Sequence, residues 1–327
     1  MESFVFALNA VLPIILTVAA GYIMKRLGFM NGEFCRKANR LVFHFFLPCL
    51  LFLNVYKMDG FEGVGGFVLY GIAALVCVFL LGCIVSIFVT DKAERRGVIA
   101  QGTFRSNYAL IGIPLAGLLF GEEGTAAATL MSAVSVPALN VLAVISLSVF
   151  SSGGKRKSVK AILLDIVKNP LLQGIAAAVV CVLLRGVLEK NGFSQRLSDI
   201  KPLFVFLEYF ASVATPLALV SLGGQFDFSA VRELRREIIT GTVMRTVVVP
   251  LLGIGCAFLF FRDTFSGAHF ATFIALFATP VAVSSVPMTQ EMGGDTTLAG
   301  QLVVWTTLAS VFTVFICAFI LRAVGIF

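Results

Sequence analysis

Ten stretches of mainly apolar residues, near 4–24, 41–56, 65–90, 97–120, 126–150, 169–188, 203–223, 238–261, 269–290 and 297–321, divide this chain of 327 residues. A helix needs about 20 such residues to cross a bilayer, and in hydrocarbon its backbone polar groups must be satisfied within the segment. The chain is therefore expected to be an all-α polytopic membrane protein with ten transmembrane helices, two of them formed only when read through an interruption. Composition agrees, with 58% hydrophobic and 13% charged residues and a mean hydropathy of +0.98. Soluble domains carry about 25% charged residues.

The net charge of +7 does not point to nucleic acid, because the Lys and Arg residues lie in short clusters between apolar runs and read as topology determinants. With the N-terminus outside, sixteen of them fall in inside loops and seven in outside loops, leaving Arg105 and Arg245 within spans. This bias predicts both termini on the outer side of a bacterial-type inner (cell) membrane. Only Glu2 precedes the first apolar stretch, with no basic segment, so the first helix is expected to stay rather than be removed as a signal peptide. The cysteines Cys35, Cys49, Cys77, Cys83, Cys181, Cys256 and Cys317 show no CxxC spacing. They read as free thiols packing as small hydrophobes, with no metal or disulfide framework.

The interruptions carry the most information. FRSNYALIGIPLAGLLFG (104–121) places Arg105, Asn107 and Pro114 inside an apolar stretch, where charge and unpaired backbone are costly. An offset of 173 residues carries Phe104 onto Phe277, Asn107 onto Pro280, Pro114 onto Pro287 and Gly121 onto Gly294. FATPVAVSSVPMTQEMGG (277–294) is thus its counterpart. Paired Gly/Pro-interrupted segments in two halves of a chain are the sequence mark of a secondary-transporter binding site. Pro114, Pro280 and Pro287 are expected to break the two helices at a crossover. LVFHFFLPCLLFLNVY (41–56) also resembles YFASVATPLALVSLGG (209–224), and the first spans match more loosely from Pro13 and Pro170. Five spans per half is an odd number, so the second copy must be inverted. Residues 1–150 are then the first five-helix repeat, 151–168 a basic cytoplasmic linker, and 169–327 the second, inverted repeat. Within the linker, ILLDIVK reads as a short amphipathic helix along the membrane interface.

An unwound crossing exposes backbone N–H groups at the start of one half-helix and C=O groups at the end of the other, and the N–H ends favour anions. Asn107, with Ser106 and Tyr108, is the candidate contact for a substrate carboxylate, helped by Ser284 and Ser285. The same side chains would also serve simply to satisfy broken backbone. Arg105 lies about 12 Å into its span at 1.5 Å per residue. It either supplies positive potential to an anion or snorkels to the interface. Arg245, at similar depth in the eighth span, reads as ion-paired with an acid or structural. For ion coupling the candidates are Glu208, a carboxylate inside a regular span, Gln290 and Glu291 as hard oxygen donors, and His44 as a near-neutral titrating group. Each has a bland alternative: an interfacial Glu208, a helix-end Gln290 and Glu291, a hydrogen-bonded His44. No cofactor is expected beyond coupling to Na+ or H+.

SNYALIGIPLAGLLFGEEG (106–124), the Asn169-Pro170 pair, ATPLALVSLGG (214–224) and PVAVSSVPMTQEMGGD (280–295) together resemble the auxin efflux carrier family, which includes bacterial malate and malonate permeases and the plant auxin efflux carriers. The resemblance covers the whole chain in order. It implies a ten-helix, five-plus-five fold similar to bile acid sodium symporters and sodium/proton antiporters, with helices 4 and 9 unwound and crossing at mid-membrane. Helices 1, 2, 6 and 7 would form a scaffold and homodimer interface; helices 3–5 and 8–10 would form a moving, elevator-like transport domain. The implied function is secondary transport of small organic anions, carboxylates such as malate, malonate or auxin-like acids, by alternating access. Family members often carry Asn shortly after the first Pro of the ninth-helix motif; Ser284 stands there in this chain, and its hydroxyl can still donate to a carboxylate. A transport-fold receptor or channel is the alternative. An intramembrane enzyme is disfavoured: the chain has no HExxH, no Ser/Lys or Ser/His dyad on a plausible pair of helices, and no aspartate motif facing Gly293-Gly294-Asp295.

Overall fold

A computed structural model describes residues 2–57, 65–150, 158–191 and 196–327. Lys155, Arg156 and Lys157 of the predicted linker lie outside these residues. The described chain is helical, and its long elements are α1 (Glu2–Arg26), α2 (Gly32–Tyr56), α3 (Gly66–Val89), α4 (Ala93–Phe104), α5 (Tyr108–Phe150) and α6 (Val159–Lys168). These are followed by α7 (Pro170–Lys190), α8 (Lys201–Gln225), α9 (Arg235–Phe261), α10 (Gly267–Phe277), α11 (Ser285–Glu291) and α12 (Thr296–Ala323). Among the described residues seven helices, α2, α3, α5, α7, α8, α9 and α12, are long and apolar enough to cross a membrane. They turn large apolar side chains such as Phe88, Leu259, Phe260 and Phe319 outward, where only a lipid environment would accept so many. This is an integral membrane protein.

Each of the ten apolar stretches is helical, and the fourth and ninth are broken. The first break covers Arg105 to Asn107, between α4 and α5; the second covers Ala278 to Ser284, between α10 and α11. α5 then turns at Phe120 and Gly121, where Gly121 adopts φ 62°, ψ −145°, a region open in practice only to glycine. The amphipathic stretch ILLDIVK forms α6, capped by Ser158 Oγ, which accepts from Ala161 N at 3.2 Å.

One expectation is corrected. Pro280 lies in a break, but Pro114 and Pro287 sit inside helices, near the start of α5 and α11. A proline in a first turn removes a donor that had no acceptor, so Pro287 begins its half-helix instead of interrupting it. Pro114 follows a widened π turn at Tyr108–Gly112, and the pattern recurs: Pro48 follows one at Val42–Phe46 and Pro250 one at Met244–Val248. A proline ring collides with the carbonyl four residues before it, and the wider turn moves that carbonyl away. For Pro250 that carbonyl belongs to Thr246, and it accepts a hydrogen bond from Thr313 Oγ1 at 2.9 Å.

The helices fall into two groups by packing. α1 lies against α8, and α2 against α7 and α8; the other group joins α3, α4, α5, α9, α10 and α12, with α11 held against α12. Glycines set the approach in the first group. A Cβ on Gly223 of α8 would overlap the Val18 carbonyl oxygen of α1, and one on Gly174 of α7 would overlap the Pro48 carbonyl of α2. Small residues at such crossings let backbones touch, which is how helices associate in lipid. The groups meet where α1 packs on α12 and where α2 meets α11.

Candidate functional site

The two breaks cross and satisfy each other. Asn107 N donates to Pro280 O at 2.8 Å and Ala282 N to Arg105 O at 3.1 Å, an antiparallel bridge between Ser106 and Val281. Val281 N donates to Thr306 Oγ1 of α12 at 3.1 Å. Backbone bonds therefore do the work that polar side chains would otherwise be needed for. Ser106 Oγ, Asn107 Nδ2 and Ser285 Oγ are consequently buried without a hydrogen-bond partner among the described residues. A buried polar atom left without a partner costs about 1–3 kcal/mol.

A cavity of about 180 Å³ opens beside the crossing. Its polar end is formed by Arg105, Ser106, Asn107, Asn140 and Ser284, and its wall by leucines of α2 and α5 with Ala214 and Ala218 of α8. It thus lies between the two helix groups. Ser285 is buried outside this lining, and Tyr108, although it borders the cavity, commits its hydroxyl to Ala128 O at 2.8 Å. The N–H groups of the first turn of α5, at Tyr108, Ala109 and Leu110, have no acceptor within their own helix and add positive potential to the same end. A second cavity of about 140 Å³ shares Asn54, Ala109 and Val136 with the first and reaches Lys57.

Arg105 does not snorkel. It is 2% exposed, and its guanidinium donates to Gln101 Oε1 at 2.6 Å, Asn140 Oδ1 at 2.9 Å and Ser284 Oγ at 3.1 Å, with Met288 Sδ alongside. Every one of these acceptors is neutral. Gln101 Nε2 in turn donates to Thr289 Oγ1 at 3.0 Å and Asn140 Nδ2 to Val136 O at 2.9 Å, so both acceptors are fixed. Neither Gln101 nor Asn140 was singled out from the sequence, where each is one polar residue in an apolar run; a polar residue within a span was the available signal. Of the two readings of Arg245, ion-paired or structural, the described residues supply no acid: its partners there are main-chain carbonyls.

The coupling candidates separate. Glu291 brings His44 Nδ1 and Arg40 Nε within 3.9 Å, and Gln290 bridges α11 to α2 by accepting from Asn39 Nδ2 and donating to Arg36 O, both at 3.0 Å. His44 is also hydrogen-bonded to Arg40 O at 3.0 Å. These contacts hold the two helix groups together on the side of the crossing opposite Lys57. Glu208 joins neither cluster. It is half-exposed near the start of α8 and paired with Lys57 at 3.0 Å, an interfacial position rather than a buried one. All seven cysteines are free, Cys35 buried and Cys77 exposed.

The membrane transport protein family model matches residues 6–161 and 154–318. An uncharacterized transporter of Methanothermobacter thermautotrophicus (strain Delta H) is 23% identical over 94% of this chain and 96% of its own length. The uncharacterized transporter MJ1031 of Methanocaldococcus jannaschii is 25% identical over 74% of this chain and 76% of its own length. With broken helices crossing beside a buried arginine and a family match along nearly its whole length, the chain belongs to the membrane transport protein family, that of the auxin efflux carriers.

Proposed function

We propose that this protein is a secondary transporter moving small organic anions, carboxylates in particular, by alternating access, with Arg105 and Asn107 as the recognition pair. The observation that carries this reading is the unbalanced charge of Arg105. A buried guanidinium surrounded only by neutral acceptors lacks the counter-charge that burial normally demands. A substrate carboxylate entering the cavity supplies it, accepts from the free Asn107 amide, and meets the positive end of α5. Ser284 stands close enough to Arg105 to contribute its hydroxyl.

In this reading the chain crosses the membrane ten times as two inverted five-helix repeats, with both termini on the outer side of the cell membrane. α1, α2, α7 and α8 form the scaffold, and the remaining spans carry the crossing past it. The division of packing into two groups with the cavity between them supports that partition. The scaffold also pairs with a second copy; Leu183, Leu184 and Val187 of α7 and Phe206 and Tyr209 of α8 present an outward apolar surface for it.

The test is uptake of a panel of radiolabelled mono- and dicarboxylates into proteoliposomes. Wild-type protein is expected to show saturable uptake of at least one acid, and Asn107→Ala to reduce it at least about tenfold, the loss of one charge-assisted hydrogen bond. Unchanged uptake in both Asn107→Ala and Arg105→Gln removes the site.

A further inference from the structure

Arg245 has the surroundings of a bound metal ion rather than of an ion-paired side chain. It is fully buried, and the arms of its guanidinium reach four main-chain oxygens. Nε donates to Thr279 O at 2.8 Å, Nη2 to Leu276 O at 3.0 Å, and Nη1 to Thr103 O at 3.3 Å and Phe104 O at 3.2 Å. Two of these oxygens belong to the last turn of α4; the other two belong to the end of α10 and the break just beyond it.

Each helix C-terminus carries about half a negative charge. Two of them converge here, so about one unit of negative potential meets one permanent positive charge. In transporters built on crossed broken helices, half-helix C-termini and unwound carbonyls are the groups that coordinate a coupling Na+. In this chain those oxygens are already occupied by a side chain anchored on α9, a helix that belongs to neither broken span.

We propose that Arg245 is a resident cation, standing where a coupling alkali ion would bind, so that the crossing is electrostatically complete without Na+ and transport draws on no Na+ gradient through it. Arg105 is then the crossing's second positive group, and the two divide its work: Arg245 neutralises the helix C-termini and Arg105 stays free for an anion. The assignment of Arg245 stands on the crossing alone and does not depend on which substrate the cavity takes.

The experiment uses the purified full-length protein and Na+ itself as the probe. Binding of 22Na+ is measured, together with the melting temperature in NaCl and in choline chloride at equal ionic strength. Wild-type protein is expected to bind no Na+ saturably and to melt identically in the two salts. Arg245→Ala uncovers the four carbonyls. It is expected to melt about 10 °C lower, as several unmade hydrogen bonds imply, and to regain part of the loss in NaCl but not in choline chloride. Arg245→Lys keeps the charge with fewer donors, and is expected to melt between the two and remain indifferent to Na+. Should Arg245→Ala fail to fold, the wild-type and Arg245→Lys measurements carry the test. Saturable 22Na+ binding to either of those two proteins overturns the proposal. So does an Arg245→Ala protein whose lost stability Na+ leaves untouched, since Arg245 would then be a hydrogen-bonding staple and nothing more.

Discussion

Arg105 depends on its neighbours for its position. Asn140 Oδ1 and Gln101 Oε1 hold its two terminal nitrogens, and each acceptor is itself fixed by a further bond, so the guanidinium faces the cavity without an acid to quench it. Asn140→Leu keeps the bulk on α5 and removes one acceptor. A hydrogen bond to a charged group is worth about 1.5–3 kcal/mol, so anion affinity is expected to fall about tenfold or more while the protein stays folded. Thermal-shift titration with a transported acid measures it, and an unchanged affinity would show that Asn140 does not position Arg105. At this scale Arg105 and Asn107 were legible, because charge and amide inside an apolar stretch stand out whatever the fold. The role of Arg245 was not. Its partners are carbonyls, which every residue carries, and only the path of two broken helices brings four of them to one point.

Among the elements, what was legible was position and not consequence. The prolines marked special places, yet Pro287 begins a half-helix while Pro48, Pro114 and Pro250 follow widened turns, because the effect of a proline depends on whether its missing donor had an acceptor. The glycines behave alike. Gly223 and Gly255 each interrupt an apolar run, but a Cβ on Gly223 would overlap the Val18 backbone while one on Gly255 meets open space. A main-chain carbonyl cannot rotate away as a side-chain tip can, so the helices must separate. Gly223→Ala is expected to destabilise by about 2 kcal/mol or more and Gly255→Ala to change little. Paired thermal melts check this, and equal behaviour would show that α1 and α8 are not in backbone contact.

For the molecule as a whole, the apolar count made an all-helical membrane protein legible and the offset of 173 residues picked out the two breaks that cross, whereas the tertiary clasps were not legible. One of these ties three helix beginnings together. Arg95 of α4 reaches Glu233 at 2.8 Å, Glu237 at 3.0 Å and Asp295 at 3.0 Å, joining residues near 100, 235 and 295 that no local pattern connects. The Arg95 guanidinium, hydrogen-bonded to Glu233, holds that carboxyl below the usual glutamate range. A lowered folded-state pKa means stabilisation that is complete above the unfolded value of about 4.3 and lost as pH falls through the folded one. Glu233→Gln is therefore expected to melt below wild type at neutral pH and to converge with it as pH falls below the lowered folded-state value; a gap that persists in acid would assign the effect to something other than this charge. A last consequence concerns the order in which the protein is made. The bridge of Ser106 with Val281 and the bonds of Arg245 to Thr103 and Phe104 join segments that leave the ribosome more than 140 residues apart. Until the second broken segment arrives, the Asn107 main-chain N–H and the Arg105 main-chain carbonyl lack these partners in a medium that tolerates few unpaired groups. The first half of the chain must wait in the bilayer unfinished, so the central crossing is among the last parts of the fold to close.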